Sequence, residues 1–123
     1  MTNIEIHKNY CISQEILSLY ESWRLPGTED QQPGLWQYGA DDLKRISLIL
    51  TLLESGFQKE EARQYMLLLT QGKSSSEARL TILNEKRSKM LDELHEKEKK
   101  LEHLDYLRYE LRKQSEMKEG KQS

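Results

Sequence analysis

The stretch Ile12-Ser13-Gln14-Glu15-Ile16-Leu17-Ser18-Leu19-Tyr20-Glu21 and, after a short interval, Pro33-Gly34-Leu35-Trp36-Gln37-Tyr38 decide how this chain folds. Ser13 is placed to cap a helix running to about Ser22, because a serine hydroxyl satisfies an orphan amide at a helix start. Ile16, Leu17 and Tyr20 recur at helical spacing and form its inner face. Residues 24–39 hold both prolines, Pro26 and Pro33, and three of the six glycines. Such a segment cannot be a helix, and it fits a loop, a short β-hairpin and a tight return.

Working outward, the pattern predicts further helices. One begins near Ala40, with Asp41 and Asp42 in the first turn, where acids suit the helix dipole. Leu43, Ile46, Ile49, Leu50 and Leu53 are its apolar positions, and Gly56 ends it. Another covers about Lys59 to Leu69, with Ala62, Tyr65, Met66 and Leu69 inward, and stops before Gly72. Residues 4–10 allow one poor helical turn or two.

The last element is the clearest. Ser74 and Glu77 have capping-box spacing, and from there no Gly or Pro appears until Gly120. A helix from about 75 to 113 would be roughly 58 Å long. Its seam reads Leu80, Leu83, Arg87, Met90, Leu94, Lys97, Leu101, Leu104, Arg108, Leu111, in alternating steps of three and four. That is the coiled-coil repeat, and it requires a partner helix. Glu85–Lys89, Glu93–Lys97 and Glu96–Lys100 are outward pairs at i,i+4. We therefore expect a head at 1–72, a dimerisation helix at 73–114 and a disordered tail at 115–123.

The basic seam residues choose the orientation. A parallel, in-register pair would set Arg87, Lys97 and Arg108 each against its own copy, and like charges at a seam are costly. An antiparallel register sets Leu80 against Leu111, Leu83 against Arg108, Arg87 against Leu104, Met90 against Leu101 and Leu94 against Lys97. No two bases meet, and each basic stem can lie along an opposing leucine with its charge in water. The expectation is an antiparallel homodimer.

Composition narrows the functional classes. Charged residues make up 33% of the chain and apolar ones 36%. The single cysteine, Cys11, can build neither an internal disulfide nor a zinc site, and an inert thiol is preferred over a redox role. His95 and His103 lack a third ligand, so no metal or other cofactor is expected. The start shows no signal-peptide pattern, and the apolar run Leu48 to Leu53 is far too short to span a membrane. We expect a cytoplasmic protein with no membrane partner. No phosphate loop, nucleophile elbow or metal motif is present, so no enzyme is expected.

Between Met1 and Leu43 stand seven acids (Glu5, Glu15, Glu21, Glu29, Asp30, Asp41, Asp42) against two strong bases, Lys8 and Arg24. The whole chain is −2. A duplex binder usually gathers Lys and Arg on its contact face, since phosphate neutralisation supplies much of its affinity.

The order of head, loop, two helices and dimerisation helix resembles the MerR family of bacterial transcription regulators. Ile12, Ser13, Leu17, Tyr20 and Glu21 match the second helix of that family's helix-turn-helix. Gly34, Tyr38, Asp42 and Leu43 match its wing and return, and Leu52, Gly56 and Phe57 match its next helix and the turn ending it. The resemblance implies a mainly α fold: a winged helix-turn-helix head with a short β-hairpin wing, then a long C-terminal helix forming an antiparallel two-stranded coiled coil in a homodimer. It also implies binding of double-stranded DNA. The departures fall on contact positions: Glu15, Ser18 and Leu19 on the second helix, Glu29 and Asp30 in the wing, Leu35 and Trp36 after it. Cys11 stands where the family has a turn glycine.

The candidate DNA contacts are then Lys8, Tyr20, Arg24, Trp36, Gln37, Lys44 and Arg45. Trp36 has two readings, packing the wing onto the head, which is preferred, or anchoring a partner. Trp23 is read as packing, and Tyr106, Leu107 and Tyr109 as packing against the partner's head. Two functions are compatible with these features. One is a dimeric DNA-binding regulator with a weak phosphate grip. The other is an adaptor or modulator whose head binds a protein partner through an acidic face.

Overall fold

A computed structural model describes residues 1–122, with side chains through residue 117. The order is α1 (Asn3–Tyr10), α2 (Gln14–Trp23), α3 (Ala40–Glu54), α4 (Lys59–Thr70), a 3₁₀ turn (Gly72–Ser75) and α5 (Ser76–Gln122). The chain divides into two units, Met1–Leu80 and Thr81–Ser123.

Each of the first four helices starts where a side-chain acceptor is at hand. The Thr2 hydroxyl accepts from Glu5 N–H at 3.3 Å, and the Ser13 hydroxyl from Ile16 N–H at 3.2 Å. At α3 and α4 the third residue reaches back instead. Asp42 accepts from Gly39 N–H at 2.8 Å and Glu61 from Gln58 N–H at 2.9 Å. Each such cap contributes roughly 1 kcal/mol. With its own cap, the segment of uncertain helicity at 4–10 completes two turns as α1.

The turn joining α1 to α2 is made by Cys11, which sits in the left-handed region at φ 55°, ψ 33°. A side chain there costs about 1–2 kcal/mol relative to glycine. His7 helps to hold the turn, its Nδ1 donating to the Ile12 carbonyl at 2.6 Å. The core beneath contains Ile6, Leu17, Leu25, Ile46, Ile49 and Met66, all fully buried. Each such side chain contributes about 1.5–3 kcal/mol by leaving water. On α3 the buried line runs Ile46, Ile49, Leu52, whereas Leu50 and Leu53, expected inward, are half-buried.

The expected β-hairpin wing is absent: no strand occurs among the described residues, and the head is all helix and turn. The reason lies in the two Pro-Gly pairs. Thr28 N–H bonds the Leu25 carbonyl at 3.1 Å across Pro26-Gly27, and Leu35 N–H bonds the Gln32 carbonyl at 3.0 Å across Pro33-Gly34. Gly27 and Gly34 have φ of 96° and 82°, the type II arrangement with proline leading. Tight hairpins need positive φ at the first central residue, which proline cannot adopt, and type II turns splay the flanking strands. The Gln31 carboxamide does what a strand would. It accepts from Gln37 N–H at 3.0 Å and donates to the Gln37 carbonyl at 3.1 Å. Tyr38 closes the return by bonding its N–H to the Met1 carbonyl at 2.7 Å.

The long helix starts at Ser76, close to the expected start near 75. Ser74 donates to the Gln71 carbonyl at 3.1 Å, and α5 is entered through the 3₁₀ turn. It then runs unbroken to Gln122, through most of the segment expected as a tail; residue 123 lies outside the described residues. All seven apolar seam residues are exposed, from 39% at Leu83 to 69% at Leu111. Glu96 holds Lys99, and Asp105 holds Arg108, each at 3.3 Å.

Relieving the left-handed cysteine should stabilise the head. Cys11→Gly is expected to raise unfolding stability by about 1 kcal/mol, whereas Cys11→Ala should bring no gain. Urea denaturation at one fixed protein concentration checks this. Equal midpoints for the two variants would show that the turn carries no strain.

Candidate nucleic-acid interface

The second helix turns two different faces outward and inward. Leu17, Tyr20, Glu21 and Trp23 are buried on one side. Gln14, Glu15, Ser18 and Ser22 are exposed on the other. The inward side is fastened by phenols bonded to buried carboxylates. Tyr20 donates to Asp42 at 2.5 Å, and Tyr38 donates to Glu21 at 2.6 Å. Burial first, and the adjoining carboxylate second, push both phenols well above the usual tyrosine range. Both stay protonated and act as fixed donors.

Arg45 completes this cluster. Its Nη1 donates to the Tyr20 hydroxyl at 3.3 Å and lies 3.7 Å from Asp42. It also packs against the Gly27 turn, where an added Cβ would stand 3.2 Å from Nη2. Trp36 lies over the phenols, its ring 5.7 Å from Tyr20 edge-on and 6.2 Å from Tyr38. Its indole N–H is buried without a partner.

The seven candidate contact residues therefore separate. Tyr20 is 1% exposed and Trp36 2%, so neither ring can reach a duplex, and both are removed from the contact set. Trp36 packs the loop onto the head, which was the preferred reading. Arg45 keeps a quarter of its side chain exposed. Arg24 forms the left-handed cap of α2 at φ 49° and donates to the Gln31 carbonyl at 2.7 Å. Gln31 in turn holds Gln37, so Arg24 and Gln37 share one loop. Lys8 and Lys44 are exposed and lie outside both groups.

The acids of the head are largely committed to the head itself. Glu21 and Asp42 are buried in the phenol cluster. Glu29 folds back so that both carboxylate oxygens accept from Gly27 N–H at 3.0 Å, which lowers its pKa. Glu15 pairs with Lys59 at 2.8 Å, and that bond and charge lower its pKa too. The sequence reading missed Gln31 and Lys59 altogether. It counted Glu21 and Asp42 among the acids of the head without giving either a partner. The spacing of Tyr38 four residues before Asp42 and the neighbours Tyr20-Glu21 were the available signals. Nothing local could have paired Glu15 with a lysine 44 residues away.

Among the described residues no three His, Cys, Asp or Glu side chains come together as a metal site. No described helix is long and apolar enough to cross a membrane.

Residues 2–69 match the family described as MerR HTH family regulatory protein. The chain is 27% identical over 93 residues to the HTH-type transcriptional regulator AdhR of Bacillus subtilis (strain 168), covering 75% of this chain and 66% of that protein. It thus spans slightly less than two thirds of that relative's length. No solved structure matches the chain.

The phenol cluster yields a stability test. Tyr20→Phe removes the donor to Asp42 and leaves a buried carboxylate short of a bond, at an expected cost of about 1–3 kcal/mol. Lys44→Ala, on the exposed side of the same helix turn, should stay within about 0.5 kcal/mol of the parent. Thermal or urea unfolding distinguishes the two, and equal effects would mean that the cluster does not hold the head together.

Proposed function

The chain belongs to the MerR HTH family of regulatory proteins, and from that membership we propose that it is a DNA-binding transcriptional regulator acting as an antiparallel homodimer. The observation that carries the reading is α2. Leu17, Tyr20 and Trp23 are turned inward, and its first two turns present an open polar face of Gln14, Glu15 and Ser18. A second helix with a free N-terminal face is what a helix-turn-helix inserts into the major groove. Lys8, Arg24, Lys44 and the exposed part of Arg45 are the bases available for phosphate.

The competing reading, a protein-binding adaptor, drew its support from the excess of acids. Glu21 and Asp42 are buried in the phenol cluster and Glu15 pairs with Lys59, so the surface excess of acids is smaller than the count along the chain. The regulator reading leads for this reason.

Support for the dimer comes from the exposed apolar seam of α5. Seven leucine and methionine side chains in a three-four repeat need cover, and the basic positions Arg87, Lys97 and Arg108 avoid one another in an antiparallel pair but not in a parallel, in-register one. In a Cys11→Ser background, chains carrying Leu80→Cys mixed with chains carrying Leu111→Cys should give an efficient 80-to-111 disulfide. Dominant 80-to-80 bridging would mean a parallel pair.

DNA binding should be weakly salt-dependent for a protein of this kind. Arg24 and Arg45 are partly engaged internally, which leaves Lys8 and Lys44 as the unencumbered bases of each head. Two heads neutralising two phosphates each give a log–log slope of about −4 at roughly −0.9 per phosphate. Duplex retention measured across a salt series checks this. No retention at any salt would overturn the DNA-binding reading, and a slope beyond about −7 would require phosphate contacts other than these four bases.

A further inference from the structure

We propose that Glu15 is a base reader for cytosine, accepting a hydrogen bond from the cytosine N4 amino group in the major groove. The inference rests on the DNA-binding reading of the head.

Glu15 lies in the first turn of α2, exposed and flanked on the same open face by Gln14 and Ser18. The N-terminal residues of such a helix are those that meet base edges. A bare carboxylate would be repelled by the phosphates lining the groove. Here the charge is balanced in place, because Lys59, the first residue of α4, donates to Glu15 Oε1 at 2.8 Å. The bond joins residues from two helices, so it also restricts the rotamer of a side chain that would otherwise move freely. No hydrogen bond among the described residues engages Oε2. The same lysine lowers the pKa of the carboxyl group, which is therefore ionised and can only accept.

An acceptor without a donor discriminates sharply among base edges. Guanine presents N7 and O6, and thymine presents O4, all acceptors that repel a carboxylate. Adenine offers its N6 amino group beside the acceptor N7, a pair that suits an amide and not a carboxylate. Cytosine alone offers an amino donor with no acceptor on its own major-groove edge. One oxygen held by Lys59 and the other open to a single donor fit that edge. Lys59 thus acts as a positioning residue, and Glu15 as the group that touches the base.

The test is selection from a pool of random-sequence duplexes by the full-length wild-type protein and by Glu15→Gln. The site is exposed, so the substitution leaves the fold intact. Wild type is expected to enrich cytosine at one position of each half-site. Replacing that cytosine by thymine should weaken binding roughly 5- to 150-fold. Glu15→Gln should lose this preference and favour adenine at the same position. Enrichment of one identical site by both proteins would overturn the role of Glu15 and leave the DNA-binding reading standing. A wild type that retains no duplex would overturn that reading, and this inference with it.

Discussion

Two phenols donating to two buried carboxylates hold the head in one arrangement. Tyr20 and Glu21 are neighbours on α2, while Tyr38 and Asp42 stand on the return segment and the first turn of α3. Each bond therefore joins α2 to the far side of the loop. A buried carboxylate is tolerated only when its oxygens are satisfied, so the penalty for any other arrangement is severe. Asp42 meets this demand with the Tyr20 hydroxyl, the Gly39 amide and the nearby Arg45 guanidinium. With both ends of the loop fixed in this way, the segment between them requires no strand ladder. Two Pro-Gly turns and the Gln31 carboxamide suffice to shape it.

The same four residues explain what the sequence could disclose. Tyr20, Glu21, Tyr38 and Asp42 are among the positions that carried the family resemblance, and membership of that family was legible from them. The helices were legible because caps and period-3.6 patterns are local: Ser13 caps α2 as its position implies, and Ile46 and Ile49 face inward. The hairpin was misjudged because family analogy outweighed turn chemistry. Proline in the leading position of both turns already argued against it. The burial of Tyr20 and Trp36 was hidden for a different reason. A tyrosine or tryptophan near a recognition surface reads as a contact until its burial is known, and burial depends on residues twenty positions away.

Electrostatics shows the same divide between local and long-range information. Counting acids along the chain described the head as repellent to nucleic acid. Locating them changes that description, because Glu21 and Asp42 are buried beside phenol donors and Glu15 is paired with Lys59. Glu15 is the instructive case. Alone on a recognition helix it would oppose phosphate, but with Lys59 beside it the pair is close to neutral and one oxygen is still directed by geometry.

Both tryptophans, Trp23 and Trp36, lie in the first unit, and none lies from Thr81 onwards. Trp36 sits in an almost waterless site with its indole N–H unbonded and two phenols against its ring. The tryptophan fluorescence of this protein is therefore a property of the head alone. Its helical circular dichroism, by contrast, comes about half from α5 and half from α1–α4. A loss of helical dichroism without a change in tryptophan emission therefore reports the long helix, within a single unlabelled sample.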